Sequence, residues 1–384
     1  MVITIAIALL LLAAVGDSSL YDPHVPTEGH ASFFEGWYTR IIAADGNSSF
    51  AVLFGLVRSS AARAPLPPAP RAVITIAYQD SNGPSTSLQV FTEFPDPSSI
   101  TITRNGSAVT SNPDYTTPPD FRWDAGQFGY QETRGNVTTM NFTVARGSVR
   151  FFAETISVVP WTAGASGLGP AGALDALPLP LHWFVYSLAS HVAAYSFVSS
   201  GGEKSGVDGR AHMEKNWGGE FPDKWMWAQA CGSGEGAAFA FSGGDLMLWG
   251  KELTMNTSHL AGYRSANKRV SWSFTPADSR MTASIDACKG LFSFDLHHII
   301  SGRRLNVSIS APALSLRSCL WGPSRSGFAP MSTESFLAVI EITAFARKLT
   351  REDVVDHVVL RNAAVEFGGA YRCMRPDPCL QPRE

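Results

Sequence analysis

Short runs of β-branched and aromatic residues, each closed off by Gly, Pro, Asn or Ser, recur along nearly all of this chain, and that rhythm points to sheet. Residues 49–57, 71–78, 88–94, 141–144, 149–159, 182–188, 193–199, 224–231, 237–241, 270–274, 281–287, 291–299, 305–310, 336–345 and 363–367 all read as strands. Residues 100–109 carry Asn105-Gly106 at their centre, the strongest short signal for a tight hairpin. The expectation is an all-β protein built of β-barrel or β-sandwich domains. A chain of 384 residues usually divides in two. The break is expected in residues 161–180, where Gly, Ala and Pro crowd without periodicity, giving β domains over 17–180 and 181–384. The Ala- and Pro-rich stretch 59–70 reads as an excursion within the first domain. Thr350-Arg351-Glu352-Asp353 has the form of a helix-capping signal and predicts one short helix near the end.

Residues 1–16 form an apolar leader, too short to span a bilayer and ending in small residues at Ala14 and Gly16, so a cleaved secretory signal peptide is expected. Six of the eleven Asn open the pattern N-x-[ST]: Asn47, Asn105, Asn136, Asn141, Asn256 and Asn306. Chance would place a hydroxyl two positions on for only about two of them, which supports a secreted or endomembrane-lumen glycoprotein. The five cysteines allow at most two internal disulfides and leave one thiol over. Cys373 and Cys379, flanking Arg375-Pro376-Asp377-Pro378, read as a local pair. The scattered His residues and the lack of C-x-x-C and H-E-x-x-H argue against a metal site, and no cofactor is expected. A net charge of −3 without basic runs excludes nucleic acid as the partner. With 45% hydrophobic and 16% charged residues, the chain can build a large core and an apolar pocket besides.

One segment resists burial. His212-Met213-Glu214-Lys215-Asn216-Trp217-Gly218-Gly219, followed by Phe221-Pro222 and Lys224-Trp225-Met226-Trp227-Ala228-Gln229, mixes charges, an amide, an imidazole and three indoles. Charges taken inside a protein cost several kcal/mol unless paired, so Glu214 and Lys215 need partners or a task. On a regular strand the two point to opposite faces and do not serve one pocket.

FFEGWY at residues 33–38, EKNWGG at 214–219, FPxKWxWxQ at 221–229 and AVEFGG at 364–369 occur in an order that resembles the tocopherol cyclase family over most of the chain. The resemblance implies two lipocalin- or calycin-like β domains packed side by side around an apolar ligand. It also implies cofactor-free closure of a chromanol ring on a prenylated quinol: a double bond is protonated to a tertiary cation, and the phenol oxygen attacks it. Family members work on plastid or cyanobacterial membranes, so peripheral membrane contact is an expectation too, although the leader here points to another compartment.

Such chemistry needs an acid, a dry envelope and groups that tolerate positive charge. Glu35 or Glu214, buried beside aromatics, could keep a proton near neutral pH. Trp37, Trp217, Trp225 and Trp227 could face the cation with their π surfaces. His212 or His182 could accept the phenolic proton, while Tyr38, Asn216 and Gln229 could hold the quinol head. Plainer readings stand beside these. Glu214 could be ionised against Arg40 or Arg210, Glu35-Gly36-Trp37 could close a barrel end, and Trp225 and Trp227 could fill a core. A non-catalytic carrier of a lipid or pigment is the alternative function.

Overall fold

The computed structural model describes residues 23–24, 32–59, 69–83, 87–108, 120–161, 169–172, 174, 179–219, 221–232, 236–248, 251–348, 351–374 and 379. The leader, and most of the stretches 59–70 and 161–180, lie outside them. Among the described residues there is no α-helix, and the strands form two antiparallel sheets.

In the first sheet the strands run, side by side, Gln89–Glu93, Ala72–Asp80, Ser48–Ser59, Ser32–Ile42, Gly209–Gly218, Leu181–Ser199, Val149–Ile156, Val137–Val144, Gly129–Arg134, Phe121–Asp124, Thr101–Arg104 and Ser107–Ala108. Gly202–Gly206 adds to Leu181–Ser199. The second sheet runs Ser271–Phe274, His259–Arg264, Ala238–Leu248, Lys224–Cys231, Arg351–Gly369, Gly327–Lys348, Arg303–Ser310, Leu291–His298 and Ser279–Asp286, with Lys251–Leu253 and Cys319–Ser324 as side branches.

Each sheet has its own core, and a third cluster joins them. Trp37, Ile41, Phe50, Phe54, Phe142 and Ala211 belong to the first core; Met226, Ala228, Phe241, Val307, Val365 and Phe367 belong to the second. Tyr38, Trp183, Trp225, Trp227, Phe336 and Ala364 pack between the sheets. Strand alternation explains the split, because successive side chains point to opposite faces. Within Ser32–Ile42, Trp37 and Ile41 turn to the first core while Tyr38 turns to the second sheet. Within Lys224–Cys231, Met226 and Ala228 turn to the second core while Trp225 and Trp227 turn to the first sheet.

Several expectations change. The strands Leu181–Ser199 and Gly209–Gly218 remain in the first sheet, so the chain passes to the second sheet between Gly218 and Lys224 rather than in 161–180. Among the described residues no helix forms near residue 350. Arg351–Gly369 is a long strand paired with Gly327–Lys348, and its Val354, Val355, Val358 and Val359 suit a pleated surface better than a helix. Cys373 and Cys379 do not join each other. Cys288 pairs with Cys373 and Cys319 with Cys379, fastening the segment after Gly369 to the second sheet, and Cys231 stays as a buried thiol. The Asn105-Gly106 hairpin forms as read, with φ of 49° and 76° at its two central residues. Asn105, Asn136, Asn141, Asn256 and Asn306 are exposed and Asn47 is half-buried.

Candidate active site

Glu214 and Lys215 are both buried, on opposite faces of Gly209–Gly218. Each has built a separate network. On the first-core side, Lys215 Nζ lies 3.1 Å from Glu35 Oε1 and 3.0 Å from His24 Nδ1. The His24 backbone N–H donates to Glu35 Oε2 at 3.0 Å, and its ring Nδ1 lies 2.7 Å from Oε1. Trp217 stacks with His24 and with His182, at centroid distances of 4.3 and 4.8 Å, and Lys215 Nζ sits 4.4 Å from the indole. Burial alone would raise the Glu35 pKa, but the charges of Lys215 and His24 and the hydrogen bonds from His24 outweigh it and hold the group down at about 2. Glu35 is therefore a fixed carboxylate at neutral pH, which removes it as a proton donor.

The second network fills the seam between the sheets. Cross-strand register places Tyr38 beside Glu214 on the first sheet, and Trp227, Glu366 and Glu334 in one row on the second. The two rows bond to each other. Trp227 Nε1 donates to Glu214 Oε2 at 3.0 Å, and Tyr38 OH donates to Glu334 Oε1 at 2.6 Å. His212 Nε2 lies 2.7 Å from the same Glu214 oxygen. Trp225 Nε1 donates to Glu366 Oε1, and its indole lies flat over Gly368, where any Cβ would collide with the ring. That gives the adjoining glycine of AVEFGG a physical reason.

Arg40, fully buried, closes the seam at one end. Its guanidinium donates to Gln229 Oε1 and Ser49 Oγ, both at 2.9 Å, and to the Asn362 carbonyl, and it lies 4.9 Å from the Phe336 ring centroid. Arg40 thus binds the sheets together rather than pairing with Glu214.

Three carboxyl groups share this seam, and two are shifted upward. Burial, then the charges of Glu366 and Glu214, push Glu334 well above the ordinary value of 4.5, against the pull of Tyr38 and Arg40. Its Oε2 has no hydrogen-bond partner among the described residues, which suits a neutral acid better than a carboxylate. Burial raises Glu366 to about 7, with the Glu214 charge adding and the Trp225 hydrogen bond opposing.

A cavity of about 340 Å³ opens onto the seam. Phe34, Leu53, Trp183, Phe221, Trp321 and Phe328 supply apolar wall, and Tyr38, Glu214, Asn216, Trp225, Trp227 and Glu366 bring the polar groups. Of the residues read from sequence, Glu214, Tyr38, Asn216, Trp225 and Trp227 meet here, with His212 behind Glu214. Glu35 and Trp37 also border the cavity, but the Glu35 carboxylate is engaged by Lys215 and Trp37 packs in the first core. His182 and Trp217 stack on the other face of the sheet, and Gln229 is taken by Arg40.

Glu366 and Glu334 are not among the residues expected from sequence. Glu366 lies inside AVEFGG, a lone carboxylate between Val365 and Phe367, and that isolation among apolar residues is its sequence signal.

Removing one partner of a buried ion pair strands the other. Glu35→Gln should destabilise the fold by about 3–5 kcal/mol in chemical denaturation at pH 7, and Glu35→Gln/Lys215→Met should recover most of that loss. An unchanged midpoint for the single variant would show that the pair is not buried as described. The sign with pH follows from the depressed pKa: the contribution of Glu35 is present above about 4.5 and lost as pH falls towards about 2.

The fold is shared with solved structures at low identity. CghA matches at a TM-score of 0.54 with 12% identity over 93% of this chain and 94% of that one, and CghA with Sch210972 matches at 0.52 with 12% identity over 92% and 94%. Kievitone hydratase from Nectria haematococca gives 0.48 and 12% identity over 93% and 94%. No curated protein sequence gives a significant match. The tocopherol cyclase-like family model matches residues 31–369, nearly the whole chain, and the chain belongs to that family.

Proposed function

We propose that this protein is an acid-dependent intramolecular cyclase that closes a chromanol ring on a prenylated quinol, with Glu366 as the acid. The observation that carries this reading is a carboxyl group at about 7 on the wall of an apolar cavity, beside two indoles. A group with that pKa holds a usable proton near neutral pH and still gives it up readily.

The cavity wall would take the prenyl chain, and Asn216 and Tyr38 would orient the quinol head. The Glu366 O–H bond breaks as a C–H bond forms at the less substituted alkene carbon. The tertiary cation left behind faces the π surfaces of Trp225 and Trp227. The phenol oxygen then forms the C–O bond, and its proton returns to the Glu366 carboxylate. Substrate and product are isomers, and neither oxidant nor cofactor is consumed. Glu334, held neutral behind Tyr38, keeps a further negative charge out of the seam.

Glu366→Gln should lower turnover of prenylated hydroquinones by about 10²–10⁴-fold while leaving ligand binding in place. In the wild type the rate should fall tenfold per pH unit above about 7, because the protonated form is lost. Turnover by Glu366→Gln at the wild-type rate would reject the assignment. Tight binding of the whole substrate set without any isomer formed would leave a carrier.

We also infer a secretory route. It is supported by the six sequon asparagines, none of them sealed in a core, and by two disulfides, which persist in oxidising compartments. Protein made in a eukaryotic secretory host should lose mass on enzymatic removal of N-glycans and yield Cys288–Cys373 and Cys319–Cys379 linked peptides. Unchanged mass together with free thiols at all five cysteines would contradict it.

A further inference from the structure

Among the described residues the two ends of the cavity differ. At one end Leu246, Leu253, Leu260 and Pro276 are half-buried, Thr257 is exposed, and the hydroxyl groups of Ser242, Thr257 and Ser258 join the wall, which suits an opening to water. At the other, Phe34, Leu320 and Phe328 are each only 4% exposed, and Phe34 and Phe328 pack with the buried Val57 and Val73. That end is closed.

A hairpin of the second sheet closes it by reaching across to the first. Cys319–Ser324 pairs with the start of Gly327–Lys348, and the Cys319–Cys379 disulfide ties its base. Three contacts hold it on the far side: the Phe328 N–H donates to the Pro70 carbonyl at 2.6 Å, the Ser318 hydroxyl donates to the Leu88 carbonyl, and Trp321 meets Phe94 edge-on at 4.7 Å. A line of rings leads there from the acid. Trp225, whose indole N–H bonds Glu366, meets Phe221 edge-on at 4.7 Å, and Phe221 meets Phe34 edge-on at 5.5 Å. Phe34 then packs in one cluster with Phe328, against which Trp321 also lies.

We propose that the apolar tail of the substrate lies along Trp225, Phe221 and Phe34 and ends against Leu320 and Phe328, so that the hairpin selects substrates with short tails. Each methylene enclosed by such a wall tightens binding about fourfold, whereas carbon that cannot fit gains nothing. The cavity of about 340 Å³ also lies near the lower end for ligand sites, which run from about 300 to 1,000 Å³. The placing of the head beside Glu366 rests on the functional reading above; the length limit is measured without turnover.

The test is calorimetric titration of the full chain with hydroquinones carrying saturated butyl, octyl, dodecyl or hexadecyl chains, which have no double bond to protonate and so bind without reacting. Affinity should rise about fourfold per methylene from butyl to octyl, a chain that extended covers the two ring-to-ring steps, and then stay level or fall. Phe328→Leu should move that break to longer chains, and so should Trp321→Leu at the half-buried flank; the break in the wild type is itself decisive if Phe328→Leu does not fold. A steady rise through hexadecyl, a break that neither variant moves, or no binding of any chain overturns the proposal. Chromanol formed from prenylated hydroquinones of every tail length alike would reject the length limit and keep the cyclase. A break in binding with no chromanol from any substrate would do the reverse.

Discussion

The seam between the two sheets is short of positive charge, and much of the site follows from that shortage. Arg40 and His212 lie beside three carboxyl groups, Glu214 and Glu334 buried and Glu366 half-buried. Three neighbouring carboxylates of like sign cannot all ionise there at the ordinary cost, because each ionisation raises the cost of the next. Protons make up the difference. Glu334 keeps one far above the ordinary range, and Glu366 keeps one up to about pH 7. An acid at the cavity wall is thus a property of the packing between the sheets, where Tyr38, Trp225 and Trp227 fix the carboxyl groups by hydrogen bonds.

Strand alternation keeps this shortage from being cancelled. Lys215 is adjacent to Glu214 in sequence, yet its ammonium lies on the far face of the sheet, bound to Glu35. Were both side chains in the seam, Lys215 would offset one of the carboxylates and lower the rest. The same alternation assigns the glutamates of FFEGWY and AVEFGG to different work. Glu35, ionised and paired, holds His24 and Lys215 in the first core, whereas Glu366, which pairs with no cation among the described residues, stays protonatable.

Much of the fold was legible in the sequence because period-2 patterning and turn residues act locally. The Asn105-Gly106 hairpin and most strand positions followed from that alone. The exceptions involve distant partners. The signal at Thr350 to Asp353 was local, but pairing with Gly327–Lys348 decided the outcome, and the cysteines were joined across 85 and 60 residues rather than across a short turn. For the site, alternation correctly separated Glu214 from Lys215, while which face held a proton depended on the facing sheet. Glu366 and Glu334 are not evident from sequence because their upward shifts come first from burial, with the Glu214 charge adding to both and the Glu366 charge adding to Glu334, on strands that meet only after folding.

The most direct test of the seam's charge shortage is a carbon-13 NMR titration of protein labelled at the glutamate side-chain carboxyl, with Glu366→Gln used to assign its resonance. The Glu366 signal should move with a midpoint near pH 7 while the Glu35 signal remains that of a carboxylate down to about pH 3. A Glu366 midpoint near the ordinary 4.5 would mean that the seam is hydrated or compensated, and would contradict it.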